Sequence, residues 1–231
     1  MSFNDSIHER KIFFEKFKDL NFDPFRLECA ENVNKLSEIA LSLEDEIMGN
    51  IFFARRDARK KIFLNEHLSR KRRSLVLASF NSKNIMEIGF NAGHSALLLL
   101  TANPHVKLTC IDICDHKYTV PCYEFLKSIF GDRINLIKST SVLAFPLLSS
   151  TNIDMDLYII DGSHAVEIAE VDLYNVIQYG KKGSIICFDD THNPVLRALV
   201  DVYLFSGKLI PLTDYSGFIN NHDQMFFVNN K

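Results

Sequence analysis

From residue 84 onward, short apolar runs alternate with stretches of helical periodicity, and turn residues punctuate the changes. Residues 84–89, 107–112, 134–138, 157–161 and 184–188 have the length and apolar content of strands. Between them, 95–101, 123–130, 166–179 and 196–205 carry apolar residues at helical spacing, and Gly180 follows the 166–179 run. Strands that run the same way need a crossover, and a helix is the usual one. The alternation therefore predicts an α/β fold, a doubly wound and mostly parallel sheet with helices on both faces. Two late runs, 209–213 and 224–228, are close enough to pair as an antiparallel hairpin.

Residues 1–80 read differently, as a helical segment set before a ligand-binding domain at 81–231. Ile12, Phe13, Phe17 and Leu20 recur at helical spacing, as do Val33, Leu36, Ile39, Ala40 and Leu43. Asp23-Pro24 signals a helix start and Met48-Gly49-Asn50 a break. A basic stretch follows, with Arg55, Arg56, Arg59, Lys60 and Lys61, then the run from Arg70 to Arg73. Interspersed acids and a net charge of −3 favour a solvated helix face over a nucleic-acid contact.

A hydrophobic content of 47% excludes a disordered chain. Apolar runs stay far below the ~20 residues of a membrane span, and residues 1–10 lack the apolar core of a signal peptide. A soluble protein in the reducing cytoplasm, with no membrane partner, is expected. Cys29, Cys110, Cys114, Cys122 and Cys187 form no C-x-x-C pair, so neither a disulfide framework nor a zinc ribbon is indicated. Cys110 and Cys187 lie in apolar strands and read as small buried hydrophobes.

The first strand runs into Glu87-Ile88-Gly89-Phe90-Asn91-Ala92-Gly93-His94-Ser95. Glycines let a backbone turn tightly and approach a ligand, and the next helix aims its N-terminal amides there. The spacing is G-x-x-x-G rather than the G-x-G-x-x-G of dinucleotide sites. Asp112 ends the second strand about twenty residues on, where a carboxylate can accept from both hydroxyls of a ribose. A plain tight turn and a helix cap are the alternatives for these residues.

A second constellation lies further on. The fourth strand ends in Asp161-Gly162-Ser163-His164 and the fifth in Asp189-Asp190. In an open parallel sheet both carboxyl ends face the ligand crevice. Carboxylates so close are unfavourable unless something neutralises them. Mg²⁺, a hard cation that takes a few carboxylates plus water, is the expected partner of Asp161, Asp189 and Asp190. Helix capping and turn propensity are the other explanation.

The series Glu87-x-Gly89-x-x-x-Gly93-x-Ser95 with Asp112 resembles the cofactor-binding motifs of class I S-adenosylmethionine (SAM)-dependent methyltransferases. The order of elements from 84 to 228 is similar too. The resemblance implies a Rossmann-like, seven-stranded sheet whose last strand is antiparallel. It also implies a loop from Gly89 to Gly93 around the methionine part of SAM, with Glu87 and Asn91 in the same motif. Ser95 would meet the carboxylate, Asp112 the ribose and Ser141 the adenine. The aspartates resemble those of metal-dependent O-methyltransferases, of the catechol type and of the type acting on macrolide sugars. The position three after the first aspartate holds Lys in the catechol type and His in the sugar type. Here it is His164, which the resemblance makes the general base, with Asp161 beside it in catalysis.

A small-molecule or carbohydrate hydroxyl is thus the expected acceptor. No N-P-P-Y or D-P-P-Y segment of the enzymes that methylate nucleic-acid amines is present. His94 reads as a helix-start residue, and His192 as a loop residue near the acidic pair. A nicotinamide-dependent oxidoreductase and a non-catalytic protein of the same fold remain the alternatives.

Overall fold

Side chains along each strand alternate between two faces, and both faces are buried. In the computed structural model, which describes residues 26–53, 66–149, 154–212 and 223–231, Ile85, Leu108, Cys110, Ile159 and Phe226 enter one core. Met86, Ile111, Tyr158, Ile160 and Phe227 enter the other. Helices must therefore cover the sheet on each side. The expected helix around residues 12–20, the Asp23-Pro24 start and the basic residues from Arg55 to Lys61 lie outside the described residues.

The described chain begins with α1 (Arg26–Ser42) and α2 (Glu66–Ser79). The alternating part then runs β1 (Asn84–Ile88), α3 (His94–Ala102), β2 (Lys107–Asp112), α4 (Thr119–Phe130), β3 (Ile134–Lys138) and α5 (Ser141–Ser149). It continues with β4 (Leu157–Ile160), α6 (Val166–Tyr179), β5 (Ile185–Phe188), α7 (Pro194–Phe205), β6 (Leu209–Pro211) and β7 (Met225–Asn229). The strands form one seven-stranded sheet in the order β3-β2-β1-β4-β5-β7-β6. β7 is antiparallel to both neighbours, and the pairings from β3 to β5 are parallel. The expected Rossmann-like sheet is present, and its late hairpin docks through β7, which separates β6 from β5. α5 was not expected, because its run is apolar without a helical stripe and carries Pro146.

Helices α1 to α4 cover one face and α5 to α7 the other. α3 is apolar nearly all round, and Leu97, Leu98, Leu99 and Leu100 are all buried. Such a helix is stable only when enclosed. Here the sheet lies on one side, with α1 and α2 on the other. Full burial of each leucine contributes about 1.5–3 kcal/mol.

The basic run in α2 departs from expectation. Arg72 and Arg73 are buried rather than solvated. The Arg72 guanidinium lies 5.3 Å from the centre of the Phe52 ring and donates to the Ile51 carbonyl. A charge this deep needs both partners. Because Arg72 is fixed in this way, the neighbouring Lys71 is carried toward the carboxyl ends of β4 and β5.

Candidate active site

β1 is flanked by β2 on one side and β4 on the other, so the chain leaves it in opposite directions. The carboxyl ends of β1 and β4 therefore open a crevice. Gly89, at that edge, has φ +95°, and a Cβ there would stand 2.1 Å from the Asp161 carbonyl oxygen. Gly93 has φ +77° and is the N-cap of α3, with no side chain capping the helix. The first amides of α3 are thus open toward the loop. Asp112 braces the loop from β2. Its Oδ2 accepts from the Asn91 amide at 2.9 Å and its Oδ1 from the Cys114 amide at 2.7 Å.

Other residues expected at the cofactor have additional partners. The Ser95 hydroxyl donates to Glu87. Asn91 donates through Nδ2 to the Gly49 carbonyl at 3.1 Å and accepts the Tyr118 hydroxyl at 2.6 Å. The Met48 amide donates to the same hydroxyl at 3.3 Å. The Met48-Gly49-Asn50 break is therefore a strap tied to the loop. The Ser141 hydroxyl donates to Asp172, a buried carboxyl of α6. His94 is buried against Phe53, with ring centres 5.5 Å apart. Burial holds its pKa down to about 3, which leaves a neutral imidazole.

SAM fits this part of the crevice. The loop presents helix-terminal amides to an anionic group, and each Asp112 oxygen keeps a lone pair for a hydroxyl. Glu87 lies beneath the loop, fully buried. Burial pushes its carboxyl up to about 7, against the hydrogen bonds from Ser95 and Cys110. Folding then favours the protonated acid, and the associated stability is present below the unfolded value near 4.5. It is lost as pH rises through the folded value near 7. That interval corresponds to roughly 3 kcal/mol. The cofactor-free protein is expected to lose stability between about pH 4.5 and pH 7, and Glu87→Gln should flatten that loss. Urea midpoints of both proteins across the range check it, and identical slopes would refute it.

The second constellation assembles across the crevice. Asp161, Asp189 and Asp190 converge, as expected, and a lysine has joined them. Lys71 Nζ lies 2.8 Å from Asp189 Oδ2 and 3.7 Å from Asp190 Oδ1. Burial opposes its charge, but Asp189, Asp161 and Asp190 outweigh burial and raise its pKa above the ordinary lysine range. Asp189 Oδ1 is buried and lacks a conventional donor. Burial, then the Asp189 charge, pushes Asp161 well above the usual carboxylate range.

His164 stands at the mouth with 60% of its side chain exposed, its Nε2 2.8 Å from Asp190 Oδ2. That hydrogen bond raises the histidine's pKa against partial burial. Asp190 itself is lowered. Burial would raise it, and His164 with Lys71 more than compensates. Its backbone is left-handed, φ 54°. His192 Nδ1 lies 3.8 Å from Asp190 and 3.2 Å from the buried Asp223, at the approach to β7.

Sequence reasoning missed Lys71 and Asp223. Lys71 was hidden inside a charge run, and Asp223 follows a turn-rich stretch with no motif. The expected magnesium site does not fit the side chains present. Among the described residues, no group of three or more His, Cys, Asp or Glu side chains is placed to hold a metal ion. The neutralising charge that three carboxylates require comes from an ammonium instead.

Residues 86–191 match a family model described as Methyltransferase domain, just under half of the chain. No curated protein matches the sequence significantly. Solved structures with the same fold include the O-methyltransferase TomG of Streptomyces achromogenes, involved in tomaymycin synthesis and solved with SAM. It is 12% identical, with TM-score 0.59, and the alignment covers 87% of this chain and 90% of that one. An O-methyltransferase from Bacillus cereus, solved with SAH, is 10% identical, with TM-score 0.61 and coverage of 87% and 91%. CalS11, a TDP-rhamnose 3'-O-methyltransferase of calicheamicin biosynthesis, is 17% identical, with TM-score 0.56 and coverage of 90% and 96%.

The fold is the Rossmann-like one of these solved structures, and residues 86–191 are similar to the Methyltransferase domain family model. The oxidoreductase alternative has no such support. Among the described residues, no helix is long and apolar enough to cross a membrane.

Proposed function

We propose that the chain is an O-methyltransferase that acts on a hydroxyl of a small molecule, most naturally a sugar-like alcohol. The observation that carries this reading is the exposed His164, bonded to Asp190 and lining a cavity with Asp161 and Asp189. The D-G-S-H run and the fold shared with a TDP-rhamnose O-methyltransferase support a sugar-like acceptor.

SAM, when bound, would supply a methyl group on a sulfonium for transfer to the acceptor oxygen, the electron pair of the broken carbon–sulfur bond remaining on sulfur. The residues to hold it are the Gly89–Gly93 loop, the first amides of α3 and Asp112. His164 performs the proton transfer. With Nε2 on Asp190, its Nδ1 is the free base that takes the hydroxyl proton as the new carbon–oxygen bond forms. Asp190 fixes that tautomer and stabilises the imidazolium. Asp189 and Lys71 hold Asp190's surroundings. A magnesium requirement forms no part of the reading, because the ammonium already neutralises the carboxylates.

Calorimetry with SAM, followed by methyl transfer from labelled SAM to a panel of glycosides and catechols, tests the proposal. Saturable SAM binding with labelled glycosides is expected. Catechols methylated while glycosides stay untouched would overturn the acceptor class. Asp112→Ala should weaken SAM binding by a few kcal/mol at most, since a charge-assisted hydrogen bond contributes about 1.5–3 kcal/mol. Unchanged affinity in that variant would remove Asp112 from the cofactor site.

A further inference from the structure

We propose that the Lys71 ammonium is the resident cation of this site in place of a divalent metal, holding Asp189 and Asp190 and offering a donor to the acceptor oxygen. The inference rests on the methyl-transfer reading and adds to it the group that neutralises the carboxylates.

Three carboxyl groups at the ends of two adjacent strands repel one another unless a positive charge stands among them. Lys71 supplies it at 2.8 Å from Asp189 and 3.7 Å from Asp190, with 12% of its side chain exposed. Mg²⁺ binds carboxylate oxygens at about 2.0–2.1 Å. To reach these oxygens it would have to stand beside an ammonium of the same sign, so the two cations exclude each other. An ammonium also has three donors. One is spent on Asp189, and the Asp190 distance is that of an ion pair rather than a hydrogen bond. A donor is therefore left for an acceptor hydroxyl brought to His164. Lys71 precedes the segment 86–191 that matches the family model, so the cation is brought by this chain's own α2. Arg72, locked onto Ile51 and Phe52, keeps α2 in register for that delivery.

The test uses the full chain. Wild-type protein titrated with Mn²⁺ should show no saturable binding up to millimolar concentration by electron paramagnetic resonance. Its methyl transfer should be unchanged after exhaustive chelation. Lys71→Ala should gain saturable Mn²⁺ binding, because the carboxylates lose their internal counter-charge. It should also lose about 10²-fold in turnover, the low end for removing one electrostatic donor. Lys71→Arg, which keeps the charge, should recover part of the turnover without gaining metal.

Wild-type Mn²⁺ binding that disappears in Asp189→Asn, or activity abolished by chelation, would overturn the proposal. So would a folded Lys71→Ala protein indifferent to Mn²⁺. The wild-type readouts decide the matter even if Lys71→Ala fails to fold. The Mn²⁺ titrations need no methyl transfer, so failure of the broader enzymatic reading would show separately, as absent SAM binding.

Discussion

Replacing His164 by alanine is expected to lower turnover by about 10²–10⁴, the range for loss of a positioned general base. SAM affinity should barely change, because the imidazole stands at the second constellation and not on the glycine loop. The pH profile adds a sign. A base must be neutral to accept a proton, and the Asp190 hydrogen bond raises the His164 pKa above its ordinary value of 6.5. Activity should therefore rise with pH through a value higher than an unperturbed histidine would give, then level off. Asp190→Asn removes the first cause of the shift, so its rising limb should move to lower pH while the plateau falls. Initial rates against pH for the three proteins check this. Near-normal turnover in His164→Ala would return the residue to a polar lining of the crevice.

Gly89→Ala should be the most damaging glycine-to-alanine substitution among the described residues. The added Cβ would meet the Asp161 carbonyl oxygen at 2.1 Å and the Gly162 Cα at 2.8 Å, both backbone atoms that cannot rotate away. It would also force an L side chain to φ +95°. Positive φ costs about 1–2 kcal/mol and overpacking about 1–3 kcal/mol, so a combined loss of roughly 2–5 kcal/mol is expected. The two strand ends that define the crevice would have to separate, and SAM binding should disappear with them. Gly183→Ala is the internal control. It has φ +85° but nothing within 4 Å of its added Cβ, so it should show the conformational cost alone. Denaturant unfolding of both variants separates the terms. Equal losses would mean that β1 and β4 do not approach so closely at their carboxyl ends.

Much of this molecule was legible as pattern. Strand and helix periodicities differ because a pleated strand alternates every residue and a helix returns every three to four. Residues 107–112, 134–138 and 166–179 were therefore found with the bounds that the structure shows. Parallel pairing followed from the crossovers. The placing of the glycine loop, Asp112 and the three aspartates at one edge followed from chain direction alone, since every parallel strand points its carboxyl end the same way. α5 escaped, because an apolar run interrupted by Pro146 offers no stripe to read.

What tertiary structure decided was the partnership of side chains distant in sequence. Sequence alone pointed to a cation among the aspartates, because like charges at two adjacent strand ends repel, with helix capping and turn propensity as the other explanation. It could not determine which. Lys71 and Asp189 are 118 positions apart, and the run from Arg70 to Arg73 has the composition of a solvated face. Only the packing of α2 against α3 and the strap at Ile51 and Phe52 turns Arg72 inward and carries Lys71 to the carboxylates. The same holds for Ser141, whose hydroxyl belongs to Asp172 on the next helix, and for Asn91, which ties down Gly49. Local patterns specify which backbone forms and where a strand ends. A charged side chain's partner depends on helix rotation and docking, which are set by the summed burial of residues far from it.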